Sequence, residues 1–578
     1  MAKVDGGELL ARTLKNAGVT EVFGLQGGHL DSFLVACDGN DIRLTDTRHE
    51  AAAGHAADGY ARITGKIGVA VMTAGPGFAN GFPSIVNAHL DAVPTLFLVG
   101  SAPLREEETY PLQGGLDQVA MATPCTKWSY RITHTERIPE LVELAIRKAT
   151  SGKPGPVLIE IPIDILFASV EEEDVRIAEN FYLDTSPAPS PEAVAQIIAE
   201  LEKATRPVLM IGAGAAFSRC QEELLAFAES TNIPVLRNNK AYGMMPIDHP
   251  LDGGSFQTIA AGAMIGLEKP DLILMMGARF GLFTGGRSDI MIPNDTTIVQ
   301  VNLEASDIGR IRNIKIPVVA DVGETLKALN IALRDKALPD WSEYASGLCG
   351  MRDAIGLLFA EEPEENNDTV HPFHAVKAIA DICPDNTIWI GDGGESSLWI
   401  QHTAKTNVPG GLLTHGYLGC LGTSPGFAMG CKRAFPDNPV VIVTGDGSVG
   451  FHIQEFETMV RHDLPIITIV LNNQAWGMSW HGQMKMYGKN RTVMTKLDDS
   501  NYEQVCTAFG GEGVRANTMA ELREAVENAL AAGVPTCINV ATDPWVVEPT
   551  MGMLSGGGAK EEDEKAETAV PYYEAVPD

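Results

Sequence analysis

Short apolar runs alternate with amphipathic stretches along most of the chain. In the first third the apolar runs fall at 21–25, 68–73, 95–100 and 156–161, each followed by a segment with helical spacing of its apolar positions. Runs of 207–211, 387–390, 440–444 and 466–471 continue the series. Strands that are apolar at successive positions, rather than at every second one, are buried on both faces. That pattern predicts parallel sheets with helices packed on either side, an α/β fold of doubly wound type.

The pattern breaks twice. Acidic residues at 171–192 give way to Thr185-Ser186-Pro187-Ala188-Pro189-Ser190, a linker composition, and a second break runs from about 336 to 369, ending in the acidic stretch 361–368. From Gly556 onward a Gly-Gly-Gly run and a charged segment carry no hydrophobic period. With 578 residues and domains that usually hold about 100–200, three domains are expected, at 1–170, 190–335 and 365–545. An acidic tail at 546–578 is expected to be flexible. The first and third blocks resemble each other locally. Gly75-Pro76-Gly77 precedes a helical stretch, Pro94 and an apolar run, and Gly445-Asp446-Gly447 precedes a helical stretch, Pro465 and an apolar run. Two copies of one α/β unit around a different middle unit would produce this.

Composition narrows the function classes. Hydrophobic residues make up 45% and charged residues 20% of the chain, the proportions of a globular domain protein. No apolar run approaches the ~20 residues of a membrane helix, and no basic-then-apolar leader opens the chain, so neither a membrane role nor secretion is expected. The nine cysteines are scattered without Cys-x-x-Cys spacing, which offers no zinc site and fits a reducing cytoplasm. A net charge of −32 argues against nucleic acid as partner, because phosphate binding draws on clustered Lys and Arg.

The candidate chemistry begins where the run 440–444 ends at Gly445-Asp446-Gly447-Ser448. Glycines at a strand's C-terminal end let backbone N–H groups approach phosphate oxygens, and a helix starting there points its positive end at them. A carboxylate at this point would repel a diphosphate unless a divalent cation sat between them. The next apolar run ends at Asn472-Asn473, and neighbouring parallel strands bring such ends together. Asp446, Asn473 and a backbone carbonyl near Ala475 are therefore candidate ligands for Mg2+, which prefers oxygen ligands in octahedral array. Alone, Gly-Asp-Gly is a plain turn and Asn-Asn a strand end; the combination is the specific signal.

That combination resembles the metal and diphosphate motif of thiamine-diphosphate-dependent enzymes. Thr47-Arg48-His49-Glu50-Ala51-Ala52-Ala53-Gly54-His55 resembles the same family's activating-glutamate segment, with Glu50 opening a helix whose small residues could pack against another subunit. His49 and His55 read as structural, since their spacing is not that of a His-Glu-x-x-His metal site. The likeness extends to about residue 545. It includes Phe23-Gly24-Leu25-Gln26-Gly27-Gly28-His29, Leu112-Gln113, Gly277-Ala278-Arg279-Phe280-Gly281-Leu282, His371-Pro372-Phe373-His374 and His415-Gly416-Tyr417-Leu418-Gly419. The chain looks like the acetolactate-synthase-type superfamily and, within it, most like benzaldehyde lyases. Acetolactate synthases usually carry a small residue in place of His29 and charged residues after Gly-Ala-Arg-Phe. The chain departs from benzaldehyde lyases at Ile163 and Ser397, where those have aromatics, at Met478, where they have a small residue, and at Gln26, where they have a histidine.

The resemblance implies a pyrimidine domain and a diphosphate domain flanking a Rossmann-like middle domain, with thiamine diphosphate and Mg2+ as cofactors. Glu50 would hydrogen-bond the cofactor's aminopyrimidine, Gly419 would hold its amino group, and Leu421 would sit under its bend. Gly393, Gly394, Gly447, Ser448 and Asp446 would face the diphosphate. His29, Gln113 and His415 would handle the substrate's carbonyl oxygen and its proton. The implied activity is reversible cleavage or formation of 2-hydroxy ketones from aldehydes. The alternatives are decarboxylating condensation of pyruvate to acetolactate and cleavage of a 2-hydroxyacyl-CoA. An aldehyde or 2-ketoacid substrate is expected, in a homodimer or homotetramer with active sites between subunits.

Two rivals remain at this stage. Gly212-Ala213-Gly214 after the run 207–211 is part of a dinucleotide fingerprint, though Phe217 replaces its third glycine. A non-catalytic subunit is the other, and the intact Glu50, Asp446, Asn473 and His29 argue against it.

Overall fold

The computed structural model describes residues 2–550, apart from residues 184, 282, 283, 285, 288, 290 and 362–367. The expected acidic tail lies outside the described residues from 551 onward, as do Leu282, Phe283 and most of the acidic stretch 361–368.

The apolar runs form three six-stranded sheets, each parallel throughout. The first holds Glu21–Gly24, Arg43–Asp46, Gly68–Met72, Thr95–Ser101, Trp128–Arg131 and Val157–Pro162. In space their order is second, first, third, fourth, sixth, fifth. The third sheet holds Ile388–Gly391, Leu412–Thr414, Val440–Gly445, Ile466–Asn472, Glu512–Ala516 and Thr536–Ala541. It repeats that order strand for strand. The local likeness between the two blocks thus extends to their whole topology. The middle sheet differs: Pro207–Ile211, Val235–Arg237, Asp252–Ser255, Leu272–Met276, Thr297–Asn302 and Ile316–Val319 lie in the order 3-2-1-4-5-6, that of the Rossmann fold. A short antiparallel pair, Lys3–Asp5 with Ser169–Glu171, ties the start of the chain to the exit of the first sheet's domain.

The break at 336–369 is more structured than its composition suggests. Helices Ser342–Cys349 and Ala354–Leu358 occupy it. Trp341, Ala345 and Leu348 recur at helical spacing and are buried, and the Trp341 indole N–H donates to the Ala204 carbonyl at 3.0 Å. Helix Ser342–Cys349 packs on the middle domain, while Phe359 stacks on Phe373 of the third domain with ring centroids 4.9 Å apart. A second difference concerns the turn expected to face a phosphate, where the helix after Gly445 is a single turn, Asp446–Val449. Its dipole is correspondingly smaller than a full helix would supply.

The first and third domains are joined through one helix pair. The helix Glu50–Thr64 starts at His49, whose Nδ1 accepts from the Ala51 N–H at 3.1 Å, and ends at Gly65 in the left-handed conformation. Its small face lies against the helix Ser424–Ala434 of the same chain. A Cβ added at Gly59 would come within 2.6 Å of the Phe427 carbonyl oxygen. One contiguous apolar cluster runs from Phe23 and Phe97 through Ala56 and Phe427 to Ile390 and Ile442. The small residues of this helix are therefore used inside one chain, not kept for another subunit as expected from sequence. Close backbone approach maximises dispersion contacts that bulky side chains would prevent.

Charged groups fasten the three domains at one point. Asp91 is buried and bonded to Arg62 Nη1 at 2.8 Å, Lys240 Nζ at 2.6 Å and the Tyr417 N–H at 3.0 Å, one partner from each domain. Burial alone would raise its carboxyl, but the charges of Lys240 and Arg62 win and hold it well below the usual carboxylate range. Arg219 of the middle domain donates to the carbonyls of Ile63 at 2.7 Å and Pro409 at 3.2 Å.

Candidate active site

Two groups of residues stand at the C-terminal edges of the first and third sheets, where parallel α/β folds place their ligands. In the third sheet, Val440–Gly445 pairs directly with Ile466–Asn472, so Asp446 and Asn473 leave adjacent strands side by side. The Ala475 N–H is shared between Asp446 Oδ2 at 3.0 Å and Asn473 Oδ1 at 3.2 Å. The Gly447 N–H donates to Asp446 Oδ1 at 3.1 Å. Burial pushes the Asp446 carboxyl up to about 7, against the pull of those N–H donors. A cation beside it would return the group to its ionised form. Among the described residues no cluster of three or more His, Cys, Asp or Glu side chains could hold a metal ion alone. An ion here would take its remaining ligands from backbone, water or a bound diphosphate, which is how Mg2+ is usually held. The residues fit such a group.

Glycines open the space around them. Gly393 has φ of 87°, and a Cβ there would lie 2.5 Å from Ser448 Oγ; at Gly447 it would meet the Trp476 ring at 2.6 Å. At Gly394 it would strike the Met478 side chain at 2.7 Å. Gly419, with φ of 71°, meets nothing within 4 Å. Gly393, Gly394, Gly419, Leu421, His415 and Met478 line one cavity of about 1500 Å³ that opens toward the middle domain. His415 Nδ1 is buried without a hydrogen-bond partner among the described residues, and burial lowers the imidazole below its ordinary value. Close by, Glu395 and His481 form a buried pair, Oε1 to Nδ1 at 2.6 Å. The His481 Nε2 side is directed at the Pro544 carbonyl, 2.8 Å away, so that nitrogen must donate.

The first sheet carries the second group. Glu50 is buried and accepts from Asn80 Nδ2 at 3.1 Å. His29 Nδ1 lies 3.5 Å from Thr73 Oγ1, and burial lowers its basicity, favouring the neutral ring. A Cβ on Gly77 would sit 2.8 Å from Thr73 Cγ2 and 3.5 Å from Glu50 Oε1, so Thr73 lies between His29 and Glu50. Gln113, at positive φ of 64°, packs its backbone against Gly75. Gln118 braces that turn. Its Oε1 accepts from the Gly75 N–H at 2.9 Å and its Nε2 donates to the Gly100 carbonyl at 3.0 Å.

The structure thus gathers His29, Glu50 and the Gln113 turn at one sheet edge, and Gly393, Gly394, Asp446, Gly447, Ser448, Asn473 and Ala475 at another. The cavity bearing Gly393 and Leu421 has none of Glu50, His29 or Gln113 in its wall. His415 goes with the third sheet rather than with His29. Sequence reasoning missed Thr73, Asn80, Gln118 and the Glu395–His481 pair. Only the position of Glu395 directly after Gly393-Gly394 could have drawn attention.

Two donors of the dinucleotide fingerprint are already engaged. The Gly212 N–H donates to Met276 O at 3.1 Å, Gly214 to Gly277 O at 2.9 Å and Gly277 to Val301 O at 2.9 Å. The Gly212 and Gly214 donors are consumed by carbonyls, and the glycines serve close packing of two strand ends, 2.6 Å from a Gly214 Cβ to Gly277 Cα.

Comparison with known proteins gives the family. Residues 4–121 match the N-terminal TPP binding domain of thiamine pyrophosphate enzymes, 194–329 their central domain and 392–540 their C-terminal TPP binding domain. A probable acetolactate synthase of Mycobacterium bovis is 32% identical over 95% of this chain and 98% of its own length. A 2-hydroxyacyl-CoA lyase 2 of Caenorhabditis elegans is 30% identical over 92% of this chain and 88% of its own. An oxalyl-CoA decarboxylase of Escherichia coli is 28% identical over 93% and 95%. The chain belongs to the thiamine pyrophosphate enzyme family, and its cofactor is thiamine diphosphate, the same compound.

Proposed function

We propose that this thiamine pyrophosphate enzyme makes and breaks the carbon–carbon bond beside a carbonyl group, joining aldehydes into 2-hydroxy ketones and cleaving them again. The observation that carries the reading is the Asp446–Asn473 pair, two oxygen donors on adjacent strand ends within a glycine-lined cradle. They would hold Mg2+ with the Ala475 carbonyl, while Gly393, Gly394, Gly447 and Ser448 face the diphosphate. Gly419 and Leu421 would support the rest of the cofactor. When bound, thiamine diphosphate supplies the nucleophilic carbon and the electron sink that such cleavage needs.

The chain's own residues then position groups and move protons. Glu50, kept buried and oriented by Asn80, holds a proton at the cofactor's pyrimidine ring. His29, neutral through burial and set beside Thr73, accepts a proton from the substrate hydroxyl or returns it. Gln113 donates an amide N–H to the carbonyl oxygen without adding charge. His415, its basicity lowered by burial and its Nδ1 without a partner among the described residues, is a second donor or acceptor on the diphosphate side. Because the cavity lined by Gly393, Gly394 and Leu421 has none of Glu50, His29 or Gln113 in its wall, a complete site would take its Glu50 half from a second copy, making a dimer or tetramer.

A second reading has direct support. Relatives at 32% and 30% identity carry the names acetolactate synthase and 2-hydroxyacyl-CoA lyase, so condensation of pyruvate and cleavage of a 2-hydroxyacyl thioester compete with the aldehyde reaction. Product analysis separates them. Purified protein with thiamine diphosphate and Mg2+ receives benzaldehyde, pyruvate or a 2-hydroxyacyl-CoA in separate tubes. Benzoin with little acetolactate supports the aldehyde reading. Acetolactate alone, or aldehyde released from the thioester alone, replaces it.

A further inference from the structure

We propose that Asp392 is a positioning residue that sets the distance between the diphosphate turn and the loop carrying Gly419 and Leu421. This deepens the cofactor reading above and rests on it. Asp392 follows the strand Ile388–Gly391 and is fully buried. Its Oδ1 accepts from the Gly393 N–H at 2.6 Å and the Gly422 N–H at 3.2 Å. Its Oδ2 accepts from the Ser424 N–H at 3.1 Å and Ser424 Oγ at 2.7 Å. Four neutral donors from two separate loops converge on one carboxylate.

The receiving loop is held from the other side as well. The Gly422 carbonyl is 2.7 Å from His452 Nδ1, so both polar atoms of Gly422 are engaged. Gly422 has φ of 75°, and a Cβ there would meet Phe451 Cβ at 2.4 Å. No other residue fits. Leu421 directly precedes this clamped glycine, and Gly393 directly follows Asp392, so the carboxylate spans the two contacts the cofactor would make.

The chemistry asks for a carboxylate and not its amide. An ionised carboxylate offers about four lone-pair sites, all acceptors, whereas an amide turns one end into a donor. Asp392→Asn keeps shape and volume but sets N–H against N–H at either Gly393 and Gly422 or Ser424. Leaving buried donors unpaired is costly. The strain falls on the relative placement of the two loops, and so on cofactor affinity.

The test is calorimetric titration of thiamine diphosphate, with Mg2+ in excess, into full-length apo-protein. Wild type, Asp392→Asn and Ser424→Ala are compared, with apo-protein melting and substrate KM and kcat at saturating cofactor measured in parallel. Asp392→Asn is expected to weaken cofactor binding by about tenfold or more and Ser424→Ala by about threefold. Substrate KM should stay within about twofold and the Ser424→Ala melting temperature within about 2 °C. Cofactor affinity within twofold of wild type in Asp392→Asn overturns the proposal. If that variant does not fold, Ser424→Ala decides: lower melting with unchanged affinity shows a merely structural contact. Failure of the wild type to bind thiamine diphosphate overturns the cofactor reading itself, an outcome distinct from equal binding by wild type and variants.

Discussion

Gly430 lies so close to Ala56 that a Cβ built on the glycine would stand 2.0 Å from the Ala56 carbonyl oxygen. The obstacle is backbone on the opposing helix, which cannot rotate away as a side chain can. The helix pair Glu50–Thr64 and Ser424–Ala434 must separate to admit even one methyl group. Gly430→Ala is therefore expected to destabilise the protein by about 1–3 kcal/mol, read as a lower denaturation midpoint. An unchanged midpoint would show that the two helices do not pack this closely.

His55 sits in the same seam, edge-on to Phe427 with ring centroids 5.7 Å apart, and neither ring nitrogen has a partner among the described residues. Burial, reinforced by His452, Arg62 and His49, holds it well below its ordinary value. A histidine kept neutral by folding binds a proton more readily when unfolded. Its contribution to stability is fully present above the unfolded value near 6.5 and is lost as pH falls below that. Melting temperature should thus drop between pH 7.5 and 5.5, and His55→Leu should flatten the drop. Parallel pH curves for the two proteins would refute the assignment.

Glu50→Gln keeps the side chain's shape and its contact with Asn80 but removes the proton-holding carboxylate. Turnover is expected to fall by about 10²–10⁴ while thiamine diphosphate affinity changes little. Steady-state rates and cofactor titration check both halves of the statement, and undiminished turnover would sink it.

Chelation tests the Asp446–Asn473 pair. Removing divalent cations and exchanging buffer should abolish turnover, and Mg2+ with thiamine diphosphate should restore it. Asp446→Ala should resist that rescue. Full activity with the metal demonstrably gone would remove Asp446 and Asn473 from the cofactor's contacts.

Complementation addresses where a complete site forms. Glu50→Gln and Asp446→Ala are each expected to be inactive. Co-expressed, mixed dimers would hold one site with both halves intact, giving roughly a quarter of wild-type activity if pairing is random. No recovery, from dimers shown by mass to be mixed, would mean that each chain builds its own site.

Much of this was legible in the order of residues, for identifiable reasons. Runs such as Val440–Gly445 and Ile466–Asn472 are apolar at most successive positions because helices cover both faces of their sheet, so strand positions showed directly. Gly445-Asp446-Gly447 and Asn472-Asn473 stood out because glycines and short polar side chains are conspicuous at the ends of two buried apolar runs. The Glu50 helix start, between a short strand and a run of alanines, was equally plain.

What only the tertiary structure decided are relations between residues far apart in the chain. The small face of Glu50–Thr64 looked free for a partner, yet helix Ser424–Ala434 of the same chain fills it. Asp392 gave no signal, because its four donors include a glycine and a serine some thirty residues away. Gly212-Ala213-Gly214 looked like part of a dinucleotide fingerprint, yet the N–H groups of Gly212 and Gly214 are spent on the end of the neighbouring strand. Local sequence carries burial and turn chemistry, which each residue expresses through its own side chain and its immediate neighbours. Hydrogen-bond partners and close backbone approach depend on which segments the fold brings together, and no single segment encodes that.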